Sequence, residues 1–172
     1  MRYFILKQDT LLENAVRLKG FNNDKKMILL KSDEKIYNDI SNVETITDEN
    51  TVYPDLIQAP VLLISDELHK IFKMYEPTII YKIAVLTDID RKVQKVYRLV
   101  LPDIIDALSE DTTYNKLGWL ENMVLDKNKV LDYNIFQVKA GLDVYLVASL
   151  EVVEAMLKRC YMGIKFIEVG VK

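Results

Sequence analysis

Residues Pro60–Val85 have the clearest secondary-structure pattern in this sequence, PVLLISDELHKIFKMYEPTIIYKIAV. Val61–Ile64 is a short apolar run typical of a covered strand, although a buried helix has the same pattern. Ser65 is a favoured helix N-cap, Pro77 cannot continue a helix, and Thr78–Leu86 has the β-branched composition of a strand. One apolar helix face is predicted between them from the spacing of Leu68, Ile71, Phe72 and Tyr75. The stretch therefore predicts a strand, a capped helix and a returning strand.

A similar pattern closes the sequence at Tyr145–Val171, YLVASLEVVEAMLKRCYMGIKFIEVGV. Ser149 occupies the N-cap position that Ser65 has in the first stretch, and Gly163 is a plausible end signal for the second helix. Ile164–Val169 then predicts the returning strand. Two strand–helix–strand units look alike whether or not they are related, so the sequence leaves open whether this is a true repeat.

The remaining elements are predicted from shorter signals. Thr10 and Glu13 match a capping box, and Pro102 suits the first position of a helix. The segment Gly118–Asp126 fits strand or helix, and a strand is favoured. Helices are predicted at Leu11–Lys19 and from Pro102 onward, and strands at Tyr3–Leu6, Met27–Leu30, Asn42–Ile46, Gln94–Leu101, Glu121–Leu125, Asn134–Lys139 and Leu142–Ala148. Two hairpins are expected, one joining Thr78–Leu86 to Gln94–Leu101 and one hinged at Gly141.

These elements predict a single α+β domain over residues 1–172, built around a mixed or largely antiparallel sheet. It divides into a variable N-terminal part (1–52), a first strand–helix–strand half-unit (53–101) and a second half-unit (102–172). Tyr53–Ile64 is expected to lead into the first helix as the hairpin at Gly141 leads into the second, with Pro60 in place of the glycine. A chain of 172 residues is long enough for one sizeable core.

Composition excludes several classes of protein. Hydrophobic residues make up 50% and charged residues 28%, which is a globular composition. The formal net charge of −3 argues against a nucleic-acid footprint. No apolar run has the length of a membrane span, and a single cysteine, Cys160, cannot form an internal disulfide. We therefore expect a cytoplasmic protein that binds neither nucleic acid nor membrane.

The search for catalytic or cofactor-binding residues finds few candidates. His69 is the only histidine, and a catalytic base needs an orienting partner and a nucleophile. Cys160 lies on the apolar face of the second predicted helix, which favours a buried structural thiol over a nucleophile. One histidine and one cysteine cannot build the usual zinc site, and the scattered glycines form no phosphate-binding loop. The sequence therefore predicts no catalytic residue, metal or cofactor.

Acidic residues provide the candidate partner-binding site. Ile36–His69 contains seven acids and no lysine or arginine, and four more acids crowd the polar face of the helix predicted from Pro102. Asp103 and Asp106 have the i, i+3 spacing of a carboxylate pair, for which a solvated helix face is favoured over acid–base chemistry. We expect a negative surface that steers a basic protein partner. The predicted site consists of Asp103, Asp106, Glu110 and Asp111.

Five short motifs, spread between Tyr53 and Ile167, resemble one family. They are the Pro-Asp at Pro54–Asp55, Ser-Asp-x-Leu at Ser65–Leu68, Ile-Asp-x-Leu-Ser at Ile105–Ser109, Val-Leu-Asp-Lys at Val124–Lys127 and Lys-Arg-x-x-x-Gly-Ile at Lys158–Ile164. In this order the chain resembles the bacterial immunity proteins of polymorphic toxin systems. The resemblance implies a cytoplasmic, non-catalytic protein that neutralises a cognate toxin by binding it. It transfers no site residue by residue.

Two other functions are kept as alternatives. The first is a small-molecule-binding or regulatory domain with its ligand between the two half-units. The second is an enzyme that uses Asp103, Asp106 and His69. Strand order and oligomeric state are left open.

Overall fold

A computed structural model describes the whole chain from Met1 to Lys172, and 41% of its residues are in strands and 16% in helices. The strands are β1 (Tyr3–Gln8), β2 (Arg17–Leu18), β3 (Ile40–Ile46), β4 (Leu56–Ile57), β5 (Leu63–Ser65), β6 (Ile80–Asp88), β7 (Val93–Leu101), β8 (Thr113–Tyr114), β9 (Leu120–Asn122), β10 (Val124–Leu125), β11 (Ile135–Ala140), β12 (Asp143–Ser149) and β13 (Ile164–Val171). The helices are α1 (Asp66–Tyr75), α2 (Lys127–Val130) and α3 (Leu150–Leu157), with a 3-10 helix at Lys31–Ile36. None of these helices has the length and apolar character needed to span a bilayer.

The strands form two large sheets and one small one. A six-stranded sheet has the order β2-β3-β6-β7-β5-β4, a five-stranded sheet has the order β10-β13-β1-β12-β11, and β8 pairs with β9. Each large sheet curls into a half-barrel. The predicted α+β fold around one sheet is therefore wrong, because the protein consists mostly of strand, has little helix and divides its strands between two sheets.

Three local predictions are wrong, and the two helix predictions among them fail for a common reason. Leu11–Lys19 forms turns followed by β2 instead of a helix, and Met27–Leu30 is not a strand. The residues after Pro102 run extended along a sheet edge, where the Ile105 N–H donates to the Gln137 carbonyl (2.9 Å). Unpaired backbone groups at sheet edges bind neighbouring segments, and this tertiary pairing overrides a local helix signal.

The predicted helix and hairpins of the central stretch are confirmed. α1 begins after Ser65, whose Oγ accepts a hydrogen bond from the Leu68 N–H (3.2 Å). β6 and β7 form the expected antiparallel hairpin, and so do β11 and β12 around Gly141. Ser149 stands at the N-cap position of α3, but its side chain makes no capping hydrogen bond there.

The two large sheets have the same internal arrangement. Strands β3-β6-β7-β5-β4 of the six-stranded sheet correspond in order to β10-β13-β1-β12-β11 of the five-stranded sheet. In both series the first pair is parallel and the other three pairs are antiparallel. The position that β7 fills in one sheet is filled by β1 in the other. The first strand of the sequence thus completes a sheet whose other four strands come from residues 102–172.

Two buried tyrosines confirm this correspondence between the sheets. Tyr97 of β7 and Tyr3 of β1 each lie opposite the serine that precedes a main helix. The Tyr97 hydroxyl donates to the Pro54 carbonyl (2.8 Å), and the Tyr3 hydroxyl lies 3.1 Å from the Tyr133 carbonyl and 2.6 Å from that of Val130. Pro54 and Tyr133 occupy the same position, two residues before β4 and β11.

Asp55 and Asn134, the residues that follow Pro54 and Tyr133, make equivalent hydrogen bonds at the two helix starts. The Ser65 N–H donates to the Asp55 carbonyl (2.9 Å) and the Ser149 N–H to the Asn134 carbonyl (2.8 Å). Each serine hydroxyl also donates to the side-chain oxygen of the same partner. The two helix starts are therefore held by one repeated set of hydrogen bonds.

The same two side chains reach across to the opposite helix. Asp55 Oδ2 accepts from the Met162 N–H (2.7 Å), just beyond the end of α3. Asn134 Nδ2 donates to the Tyr75 carbonyl (3.1 Å) at the end of α1. Each side chain thus joins the start of one helix to the end of the other, so α1 and α3 lie antiparallel to each other.

Three apolar clusters fill the interior. The largest lies between the sheets and contains both helices, with Leu6, Leu56, Ile64, Leu68, Ile71, Phe72, Val100, Ile135, Leu146, Ala148, Val152, Val153 and Met156 among its members. The second lies on the face of the five-stranded sheet opposite to α1 and α3 and contains Tyr3 and Phe136. The third, on the corresponding face of the six-stranded sheet, contains Leu63 and Tyr97 and has fewer members.

Candidate partner-binding surface

The predicted acidic site does not form a bare negative patch. Three of its four acids make ion pairs with lysines that are distant in sequence: Asp103 with Lys31 (2.9 Å), Asp106 with Lys129 (3.4 Å) and Asp111 with Lys172 (2.8 Å). Glu110 is exposed and has no ion-pair partner. The four acids lie on a non-helical segment and the turn that follows it rather than on one helix face. The ion pairs weaken the negative potential that the sequence predicts.

Glu110 and Asp111 lead into the small hairpin β8–β9, which presents large apolar side chains to solvent. The exposed fractions are 40% for Tyr114, 76% for Leu117 and 50% for Trp119. Leu142, in the turn between β11 and β12, is 75% exposed. We call these four residues the hairpin surface. Clustered exposed apolar side chains on a folded protein are typical of a site that binds another macromolecule.

The tip of the hairpin is held by Asn115. Its side-chain oxygen accepts hydrogen bonds from the N–H groups of Leu117 (2.9 Å) and Trp119 (3.0 Å), and its own N–H donates to the Trp119 carbonyl (2.9 Å). Gly118 has a φ of +80°, a conformation that favours glycine. The exposed side chains therefore project from a backbone that is already ordered.

The hairpin tip packs directly on the turn between β11 and β12. A Cβ atom at Gly141 would lie only 2.4 Å from the Gly118 carbonyl oxygen and 3.5 Å from the ring of Tyr114. Gly141 also has a φ of +62°. Only a glycine permits this approach, and the contact brings Leu142 to the same end of the molecule as the hairpin.

We expect Gly141→Ala to destabilise the protein by about 2–4 kcal/mol, because a left-handed conformation costs about 1–2 kcal/mol for a non-glycine residue and the methyl group meets a backbone carbonyl. Gly20→Ala is the matched control, since Gly20 has a φ of +80° with nothing near its Cβ position. Urea denaturation followed by the fluorescence of Trp119 measures both variants. Equal losses of stability in the two variants would show that the hairpin does not pack on this turn.

Polar and charged groups border the hairpin surface. Lys26 forms an ion pair with Asp143 (3.1 Å) and lies 5.7 Å from the ring centroid of Tyr145. Burial raises the pKa of the Tyr145 hydroxyl, and the charge of Asp143 adds to this effect. An apolar centre with a charged border is the composition of many protein–protein interfaces.

The residues of the predicted enzyme alternative are not brought together. His69 packs edge-on against Tyr81 with ring centroids 4.4 Å apart, and burial, together with Arg98, lowers its pKa. Asp103 and Asp106 contact lysines instead of this histidine. The prediction of a buried Cys160 is wrong, because α3 ends at Leu157 and the thiol is exposed in the turn that follows.

The space between the sheets is small. A cavity lined by residues of both sheets, among them Leu62, Val100 and Leu146, has a volume of about 30 Å³. This is room for one or two water molecules, and a metabolite of ordinary size does not fit. The structure contains no group of three or more His, Cys, Asp or Glu side chains that could hold a metal ion.

The sequence prediction missed the hairpin surface because it took Gly118–Asp126 as one element and predicted no strand at Thr113–Tyr114 to pair with it. The signal was present in the spacing of Asn115 and Gly118 between Tyr114 and Trp119, since turn residues between aromatic residues are typical of a hairpin. No protein-family model matches this chain, and no curated protein matches it either.

Proposed function

We propose that this chain is a non-catalytic protein-binding module, and that its partner is the toxin of a polymorphic toxin system, which it neutralises by direct binding. The hairpin surface is the observation that supports binding. The resemblance of the sequence to immunity proteins supports the toxin as the partner.

The hairpin surface suits an interface for a physical reason. Tryptophan and tyrosine are enriched among the residues that dominate binding energy, because they bury a large area with few rotatable bonds. Asn115 and Gly141 hold the hairpin before any partner arrives, so less conformational entropy is lost on binding. A loose apolar loop would lack this advantage.

Glu110 lies at the base of the hairpin and gives the proposed interface an acidic group. Because Glu110 has no ion-pair partner, its carboxylate is free to attract a basic partner. Charges at the edge of an interface mainly increase the association rate and select the partner. Asp103, Asp106 and Asp111, which are paired with lysines, have a smaller role in this proposal.

We expect Trp119→Ala to weaken binding to the toxin domain encoded beside this chain by roughly 30-fold or more, which is about 2 kcal/mol for a central interface aromatic. Titration calorimetry measures the affinity, and co-expression with the toxin measures protection of the cell. Met74→Ala is the matched control, since Met74 is exposed on α1, outside the hairpin surface.

Circular dichroism verifies that both variants are folded. If Trp119→Ala binds as tightly as Met74→Ala, the hairpin is not the interface. If the wild-type chain binds no such toxin and protects no cell, the proposed function itself is wrong.

A further inference from the structure

The outer edge of β3 is only partly covered. β2 pairs with Thr45 and Ile46 alone, and the Lys19 N–H donates to the Glu44 carbonyl (2.8 Å). The chain then turns away at Gly20, which has a φ of +80°. No strand lies beside the first four residues of β3, Ile40–Val43, on this side. We call these four residues the open edge.

The other half of the molecule shows how an equivalent edge is covered. Asn42 pairs with Val85 in the six-stranded sheet as Val124 pairs with Gly170 in the five-stranded sheet, so β10 corresponds to this part of β3. On the outer side of β10, Leu108 forms an antiparallel bridge with Leu125, and the Ser109 N–H donates to the Val124 carbonyl (2.8 Å). An extended segment of the chain therefore occupies the position that is empty beside the open edge.

The covering segment also contributes to the apolar interior of its own half. Ala107 belongs to the apolar cluster on the face of the five-stranded sheet opposite to α1 and α3, and Ile105 and Leu108 pack against that cluster. In the six-stranded sheet the corresponding region holds a cavity of about 130 Å³, lined almost entirely by apolar residues that include Phe21, Leu29 and Val43. An apolar cavity of about this size can hold a benzene-sized group.

Backbone groups of the open edge point outward, away from β6. The Glu44 carbonyl faces outward because it accepts from Lys19, and the direction alternates along a strand, so the N–H and C=O groups of Asn42 and Ile40 face the same way. A groove of about 470 Å³ runs along this edge and includes Phe21, which also lines the apolar cavity. The groove and the cavity therefore meet beside one strand edge.

We propose that the open edge is a second interaction site, which binds an extended segment of a partner protein antiparallel to β3. The segment adds a strand to the six-stranded sheet and places an apolar side chain in the cavity beside Phe21. Asp39 lies next to the open edge with 89% of its side chain exposed; its Oδ1 pairs with Lys82, whereas its Oδ2 has no partner. A lysine or arginine at the adjoining end of the segment can therefore bind Oδ2. Backbone hydrogen bonds supply affinity in this mode, and the side-chain cavity supplies specificity.

Asn42→Pro tests this site. Proline removes the outward N–H of residue 42 and places a ring on the edge, while the odd-numbered residues of β3 keep their hydrogen bonds to β6. Asn42→Ala is the matched control, because it loses the same side chain, which accepts from the Thr87 hydroxyl, and keeps the N–H. Urea denaturation verifies that both variants are folded; if Asn42→Pro is not, Ile40→Pro at the start of the strand replaces it.

The probe is a display library of random 12-residue peptides selected on the immobilised wild-type chain. We expect enriched peptides with alternating apolar residues and a terminal lysine or arginine, and amide chemical-shift changes in the open edge when they bind. Asn42→Ala should bind these peptides as tightly as the wild type does. Asn42→Pro should bind them with an affinity that is lower by roughly ten-fold or more.

The proposal is overturned if no peptide is enriched, if Asn42→Pro binds the peptides as Asn42→Ala does, or if the wild type is a dimer that Asn42→Pro converts to a monomer. The last result would mean that a second copy of the chain occupies the edge. Trp119→Ala should leave peptide binding unchanged, so this proposal and the toxin proposal fail separately.

Discussion

Deletion of Met1–Gln8 is expected to leave the chain unfolded. β1 is the central strand of the five-stranded sheet and pairs with β12 on one side and β13 on the other. Its loss removes Leu6 from the core between the sheets and Tyr3 from the apolar cluster on the opposite face of the five-stranded sheet. The free energy of unfolding of a domain of this size is only about 5–15 kcal/mol. We expect the loss of a central strand and its buried side chains to destabilise the fold by more than this. Circular dichroism and urea denaturation should then show no cooperative transition.

A circular permutant is the matched control for this deletion. Tyr3 lies opposite Val169, so Met1 and Lys172 lie near each other at the open ends of the neighbouring strands β1 and β13. A short glycine-rich linker between them makes a hairpin equivalent to β6–β7, and the chain can be opened in the exposed turn between Thr10 and Leu11. Because loop closure is inexpensive and surface turns tolerate new ends, we expect stability within about 2 kcal/mol of the wild type.

The two variants separate the presence of β1 from its position in the chain. A permutant that fails to fold would show that β1 must be joined directly to the residues that follow it. A deletion variant that unfolds cooperatively would show that β1 is not integral to the five-stranded sheet.

Asp55→Ala is expected to lower the free energy of unfolding by about 2–4 kcal/mol. The substitution leaves the partly buried Ser65 hydroxyl without its acceptor, which costs about 1–3 kcal/mol, and it also removes the exposed hydrogen bond from the Met162 N–H. The same change loosens the contact between the start of α1 and the end of α3. Asn134→Ala should have a similar effect, since it breaks the equivalent contacts at the other end of the helix pair.

Two variants control for the lost charge of Asp55. Asp55→Asn places at position 55 the residue type that Asn134 has at the equivalent position. It keeps an acceptor for the Ser65 hydroxyl, so we expect the free energy of unfolding to fall by only about 1 kcal/mol. Asp33→Ala removes a half-buried acid that makes no ion pair, and it should change stability by less than about 0.5 kcal/mol. Urea denaturation compares all four variants. Equal stabilities for Asp55→Ala and Asp33→Ala would show that Asp55 does not join the two halves.

Local sequence signals were sufficient to predict an element where the contacts that form it join residues close together in the sequence. The start of α1 at Ser65, its end before Pro77 and the hairpin around Gly141 depend on backbone chemistry within a few residues. These elements were predicted correctly. The helix predicted from Pro102 failed because its backbone finds hydrogen-bond partners on strands β10 and β11, which its own sequence does not reveal.

The candidate sites show the same limit. The sequence revealed the four acids between Asp103 and Asp111 but not the lysines that pair with three of them. An ion pair such as Asp103–Lys31 depends on the folded path of the chain. The open edge was not predictable at all, because it is defined by a comparison of β3 with β10. That comparison requires the strand order of both sheets.

Residue order alone was enough to predict where α1 and α3 begin, the hairpins β6–β7 and β11–β12 and the apolar helix faces, because turn geometry, periodicity and, at Ser65, capping act over a few residues. Three features became visible only in the folded chain. β1 takes in the five-stranded sheet the position that β7 has in the six-stranded sheet, and Asp55 and Asn134 connect α1 to α3. The fold also sets which strand edges and apolar side chains stay exposed. Strand pairing joins residues of any sequence separation through backbone groups that all residues share. Pattern therefore predicts a strand, and only the folded chain selects its neighbours.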